Sequence, residues 1–226
     1  MNSQTKITVL LVDDHAIVRE GYHSLISKQA DLQVIAEAAN GTDAYRLYKE
    51  CQPDVVITDL TMPGLSGLEV ISRIKHRDAN AKILVFSMHQ NPSFALQTCR
   101  AGALGYVTKS SAPDVLLYAI HEIYAGRHIL STDIAQALAL EKLCGEAIAL
   151  DSLTAREFEI LRLLVEAKSP DDIAKILNIS PKTVGNCHYL IKRKLGVSSD
   201  IELTRLAIKL NVISLLELGT PVETNI

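Results

Sequence analysis

The chain has 226 residues, 48% hydrophobic and 22% charged, which suits one or two domains with cores that need no staples. Its 23 basic and 26 acidic side chains leave a formal net charge of −3, so a nucleic-acid surface would have to be a local reversal of sign. Cys51, Cys99, Cys144 and Cys187 form no C-x-x-C pair, no stretch reaches the ~18 apolar residues of a membrane span, and MNSQTKITVLLVDD does not read as a signal peptide; a cytoplasmic protein without membrane contact is expected.

In chain order, five short β-branched runs come first: ITVLLVD, QVIAEA, DVVITDL, KILVFSM and LGYVTK. The first, third and fourth are apolar nearly throughout, as strands covered on both faces must be. Helical spacing of apolar residues separates them, as in GLEVISRIKHR. The alternation predicts a doubly wound α/β domain over residues 1–126, with a five-stranded parallel sheet. Residues 127–150 change character and form a linker whose STDIAQALALEKL reads as one helix. From 151 to 226 no strand pattern remains. Helix starts stand at Thr154 with Glu157, Ser169-Pro170, Ser180-Pro181 and Ser199 with Glu202, the first and last as capping boxes. They predict a small all-α domain of four helices.

Asp13 and Asp14 end the first run and Asp59 the third. In a doubly wound sheet these strands are neighbours, and their carboxyl ends converge where ligands bind. Three gathered carboxylates repel unless a cation sits among them, and oxygen donors suit Mg²⁺. Ser87 and Lys109 end the fourth and fifth runs on the same rim. A hydroxyl, an ammonium and a divalent cation around Asp59 would hold a phosphoryl group on its carboxylate, with Asp59 as nucleophile.

Residues 6–126, through LLVDDH, VVITDLTMPGLSGLE, LVFSMH and GYVTK, resemble the receiver domain of two-component response regulators. The resemblance implies Asp59 as phosphoacceptor, Asp13 and Asp14 as the acidic pair with Asp14 a direct Mg²⁺ ligand, and a backbone carbonyl of Thr61 on the metal. It implies phosphoryl contacts from Ser87 and Lys109, and Tyr106 as an aromatic switch that moves with Ser87. Met62-Pro63-Gly64 would make the turn after the acceptor.

On a helical wheel, residues 181–195 gather Val184, Ile191 and Leu195 into a buried stripe flanked by Cys187 and His188. Lys182, Gly185, Asn186, Tyr189, Lys192 and Arg193 fall opposite, and no acid occurs between Ser180 and Gly196. A basic, hydrogen-bonding face on an acidic chain is the footprint of a phosphate-contacting helix. The segment LTAREFEILRLLVEAKSPDDIAKILNISPKTVGNCHYLIKRKLGV resembles the LuxR-type helix-turn-helix of the NarL/FixJ branch. That implies a third helix in the major groove of double-stranded DNA, with Asn186 and Tyr189 toward bases beside Gly185. Lys182, Thr183, Lys192 and Arg193 would meet phosphates. Two positions depart from the family pattern: Cys187 stands where histidine is usual, and Gly185 where a larger polar residue is usual. The last helix places Leu203, Leu206, Ala207 and Leu210 on one face and Ile201 and Ile208 on another, so a homodimer formed on phosphorylation or DNA binding is expected.

Within that branch the C-terminal phrase resembles the GacA/UvrY-type global activators, which implies small-regulatory-RNA genes and virulence traits as targets. The resemblance further implies a sensor histidine kinase as phosphodonor and admits RNA polymerase as a partner. An enzymatic alternative, a Mg²⁺-dependent phosphohydrolase, would need a second acid two residues after the nucleophile; Thr61 stands there and no D-x-D occurs, so no enzyme is expected.

Overall fold

The computed structural model describes residues 6–62, 65–143, 149–210 and 212. Pro63 and Gly64 of the expected turn, Cys144 and the stretch from 213 lie outside the described residues. The chain divides into two compact units, 1–147 and 148–226.

The first unit alternates β1 (Ile7–Val12), α1 (Ala16–Ser27), β2 (Leu32–Ala38), α2 (Gly41–Cys51), β3 (Val55–Thr58), α3 (Gly67–Arg77), β4 (Ile83–Ser87), α4 (Pro92–Ala101), β5 (Gly105–Thr108) and α5 (Pro113–Tyr124). All strand pairs are parallel, in the order β2-β1-β3-β4-β5. Every residue of β3 and β4 is buried, whereas β2 at the edge buries only its two ends, so the degree of apolar continuity tracks position in the sheet. Val9, Leu11, Val55, Ile57, Leu84, Phe86 and Val107 pack with Ile26 of α1 and Leu116, Ala119, Ile120 and Ile123 of α5. Strand alternation turns the neighbours of these residues to the opposite face. Helices α2, α3 and α4 pack side by side, with Ala44, Ile71, Ile74 and Phe94 among their buried residues.

One element exceeds the expected sheet. Residues Ile129–Leu130 form a sixth strand, β6, parallel to β5. Helix α6 (Thr132–Leu143) follows and packs on α4 and β5, so the segment read as a linker joins the first unit. A two-residue strand has no sequence periodicity to announce it.

The second unit holds α7 (Ala155–Val165), α8 (Pro170–Ile176), α9 (Pro181–Leu195) and α10 (Asp200–Lys209), preceded by a 3-10 turn at Ala149–Ser152. Phe158, Leu161, Ile173, Val184, Ile191, Leu203 and Ala207 are buried. All four N-caps stand where expected: Thr154, Ser169, Ser180 and Ser199 each accept a backbone N–H. Thr154 and Glu157 form the full reciprocal box. The last box is displaced by one residue, because Glu202 accepts from the backbone N of Ser198 at 2.7 Å while Ser199 accepts from Glu202. Between α8 and α9 the chain turns sharply through Asn178 at φ 51°, a left-handed conformation that asparagine tolerates.

Candidate phosphoacceptor site and nucleic-acid interface

β1 and β3 are in register with Val12 opposite Thr58, so the residues that follow them emerge together. The amide of Asp59 donates to the carbonyl of Val12 at 3.0 Å, and that of Asp13 to Ala38 at 3.1 Å. Beyond β5, the amide of Lys109 donates to the carbonyl of Ser87 at 2.8 Å. Its side chain crosses to the acids, with Nζ 2.6 Å from Asp13 Oδ2 and 2.6 Å from Asp59 Oδ2. Asp13 and Asp59 are 3% and 4% exposed, so this pairing is nearly dry. Burial alone would push the ammonium down, but Asp59 and Asp13 outweigh it and hold Lys109 above the ordinary lysine range. The second oxygen of Asp59 accepts from the backbone N of Leu60 at 2.6 Å. Gly67 makes room for the acceptor segment: a Cβ there would stand 2.1 Å from the carbonyl oxygen of Asp59.

Asp13, Asp14, Asp59 and His15 each offer a ligand atom, all within 4.8 Å of one another. Three carboxylates against one ammonium leave an excess of negative charge, and hard oxygen donors at that spacing fit Mg²⁺. Asp14 is the wetter member, 27% exposed, with His15 Nδ1 3.0 Å from its Oδ1. The hydroxyl of Ser87 is buried beside Tyr106 yet meets no hydrogen bond of regular geometry, which leaves it for an incoming oxygen. Thr61 lies on the surface, its hydroxyl 2.9 Å from His89 Nε2. Tyr106 is fully buried and donates from its phenol to the carbonyl of His89 at 2.7 Å; burial pushes that phenol far up. His89, which stacks on Phe94 at 4.2 Å, thus touches both Thr61 and Tyr106.

In the second unit, α9 turns Val184 and Ile191 inward, while Leu195, Cys187 and His188 are half-buried. Lys182, Thr183, Gly185, Asn186, Tyr189 and Arg193 are exposed, Tyr189 by 64%. A Cβ on Gly185 would meet nothing within 4 Å, so no neighbour in the fold demands glycine there. Lys192 is less available than its wheel position suggested: its Nζ lies 2.9 Å from Asp200 Oδ1 of α10, which also approaches His188. Thr183 is engaged too, its hydroxyl 2.8 Å from that of Ser180. On the inner side Lys194 reaches Glu157 at 2.6 Å, and Arg156 donates to the carbonyl of Leu177, tying α9 and the turn to α7.

Residues 9–121 match the family described as the response regulator receiver domain, and residues 151–207 that of bacterial regulatory proteins, luxR family. The chain is 36% identical over 205 residues to response regulator UvrY of Escherichia coli (strain K12), covering 90% of this chain and 94% of the relative. It is equally 36% identical to response regulator GacA of Pseudomonas aeruginosa, covering 90% and 96%. The solved structure of RcsB from Salmonella enterica serovar Typhimurium, bound to promoter rprA with the phosphomimetic BeF3-, is 28% identical with TM-score 0.70, covering 89% of this chain and 98% of that one.

The chain belongs to the response-regulator family. It is a two-component response regulator with a luxR-type DNA-binding unit, a class of regulators rather than of enzymes. No helix among the described residues of the regulator is long and apolar enough to cross a membrane. Two residues near the regulator's acidic rim were not singled out from the sequence. His15 was legible in principle, as the residue after the acidic pair. His89 was not, because it lies on a loop and its partners are 28 and 17 residues away.

Proposed function

We propose that Asp59 accepts a phosphoryl group from a sensor histidine kinase and that this controls DNA binding through α9. One observation carries the reading: a single lysine ammonium joins two buried carboxylates 2.6 Å away, beside a third carboxylate and an orphaned hydroxyl. A carboxylate oxygen of Asp59 attacks phosphorus, the bond from phosphorus to the donor nitrogen breaks, and an acyl phosphate remains. Lys109 and Ser87 meet the transferred oxygens, the ammonium turning from Asp59 to the new charge. Asp13, Asp14, Asp59 and the Thr61 carbonyl would hold Mg²⁺, which when bound neutralises charge on the phosphoryl group. Tyr106 serves as the switch beside Ser87.

In α9, Gly185, Asn186 and Tyr189 face base edges while Lys182, Thr183, Lys192 and Arg193 meet phosphates. The regulator acts at promoters as a homodimer over two half-sites, by analogy with RcsB, whose dimers have been solved bound to DNA, with RNA polymerase as a further partner. Residues 1–126 are the receiver, 127–150 the connection, whose β6 and α6 attach to the receiver, and 151–226 the DNA-binding unit. The target class implied by the resemblance is genes for small regulatory RNAs. Asp59→Asn tests the core of this reading: acid-labile labelling by acetyl phosphate with Mg²⁺ should vanish, and undiminished labelling would refute it.

A further inference from the structure

The segment from Ile129 to α6 is fastened to the end of β5 by more than packing. The amide of Ile129 donates to the carbonyl of Leu104, and that of Ser131 to the carbonyl of Tyr106 at 2.9 Å. Gly105 is the condition for this approach. A Cβ there would lie 2.7 Å from Ile129 Cγ2 and 2.8 Å from its carbonyl oxygen, so the strand next to the rim is built to take β6. Ile134, on the first turn of α6, is fully buried. Between these anchors the buried hydroxyl of Thr108 donates to Asp133 Oδ2 at 2.9 Å. Thr108 Oγ1 also lies 2.9 Å from the Ser111 hydroxyl and accepts from Ser110 at 3.1 Å. A hydroxyl has one proton to give, and Thr108 gives it to the carboxylate, so the neighbouring serines can only donate to it.

Thr108 immediately precedes Lys109, whose ammonium bridges Asp13 and Asp59. Fixing Thr108 therefore limits how far the lysine backbone can stray when the ammonium is drawn to a new anion. Asp133 precedes the buried Ile134 on the first turn of α6, so Thr108 has an acceptor fixed in place, which a water would not be.

We propose that Asp133 is a positioning residue for phosphorylation: through Thr108 it holds the backbone of Lys109 and couples occupancy of Asp59 to the attachment of α6. The proposal rests on the reading of Asp59 as phosphoacceptor. Coupling of this kind is reciprocal, so whatever α6 contributes to binding at Asp59, binding returns to α6. Asp133 stands on the outer rim, exposed, and does not belong to the acidic cluster of Asp13, Asp14 and Asp59. Asparagine keeps the accepting oxygen and discards the charge, which separates tethering from long-range electrostatics.

The test uses the full chain, with Mg²⁺ and beryllofluoride as the probe. Affinity is read by fluorine NMR, and attachment of α6 by amide hydrogen exchange over residues 132–140. Asp133→Ala and Thr108→Val should each weaken beryllofluoride binding about fivefold. Their combination should be no weaker than either alone, and Asp133→Asn should retain most of the wild-type affinity. Beryllofluoride should raise protection of 132–140 in the wild type and leave it unchanged in the two tether variants. Wild-type affinity in Asp133→Ala, or an Asp133→Asn protein as weak as the alanine variant, would overturn the proposal. If the wild type itself bound no beryllofluoride, the reading of Asp59 would fail first and the tether with it. A wild type that binds, beside tether variants that bind as well, condemns the tether alone.

Discussion

The rim at the ends of β1, β3 and β5 and the outer face of α9 are built on opposite terms. At the rim, charge is buried and each carboxylate oxygen of Asp13 and Asp59 answers to a neighbour: Asp59 to Leu60 and Lys109, Asp13 to Lys109 and the amide of His15. On α9 the residues assigned to DNA stand in water, the half-buried Lys192 apart, and Gly185 has open space around it. A buried site constrains its residues in the free protein, so its logic is internal. A surface for a partner is constrained chiefly by a molecule that is elsewhere. The first should therefore respond to substitution through stability and ion binding, and the second through affinity and salt.

The largest effect should come from Lys109→Met. Removing the shared ammonium leaves buried carboxylates facing each other, at a cost of about 3 kcal/mol in thermal unfolding with chelator present. Mg²⁺ should then stabilise the variant more than the wild type, since the ion supplies the missing positive charge. An equal gain in both proteins would break the view of the rim as one electrostatic unit.

On α9 the matching experiment is the salt dependence of DNA binding. Lys182→Ala or Arg193→Ala should each lower the slope of log affinity against log salt by about one. Lys192→Ala should lower it by less, because Asp200 already engages that ammonium. Equal effects of all three would mean that DNA displaces the acid. Next in size is Gly185→Ala. The free unit should gain about 1 kcal/mol in its melt, since the added methyl meets nothing. DNA affinity should fall if glycine is there for close backbone approach. A gel shift that stays constant or improves would remove that explanation.

These contrasts explain what the sequence could disclose. Asp13, Asp59, Ser87 and Lys109 were legible because each closes an apolar run, and parallel order alone brings run ends together. Thr154 and Ser180 were legible because capping is a local contract between residues three apart. Strand β6 was not, since two residues carry no period and its place depends on the missing Cβ of Gly105. The pairing of Lys192 was hidden for a related reason. A helical wheel knows its own helix, whereas Asp200 arrives from the next one, eight residues on.

The smallest expected effect belongs to an exposed pair in the first unit, His121 with Asp31, at 2.8 Å. The hydrogen bond to Asp31 raises the imidazole above its ordinary range and lowers the carboxylate below its own. The imidazole's share of stability is complete below pH ~6.5 and is lost as pH rises through the raised value. The carboxylate's share is present above its ordinary range and lost only in acid. His121→Gln should flatten the slope of stability above pH ~6.5 by less than ~1 kcal/mol. A larger change would mean that exposed pairs in this unit behave like the buried rim.

The two-residue strand β6 also bears on how the regulator survives at high concentration. A parallel sheet ending in β5 would present a row of unpaired amides and carbonyls beside apolar side chains, a template for any passing extended chain. Here Leu104 and Tyr106 spend their carbonyls on Ile129 and Ser131, and the chain turns at once into a helix. The opposite edge, β2, is interrupted by Gln33 and Glu37, the latter gripped by Arg19 and His23. Both margins of the sheet thus discourage a stray strand from docking, one by brevity and the other by charge.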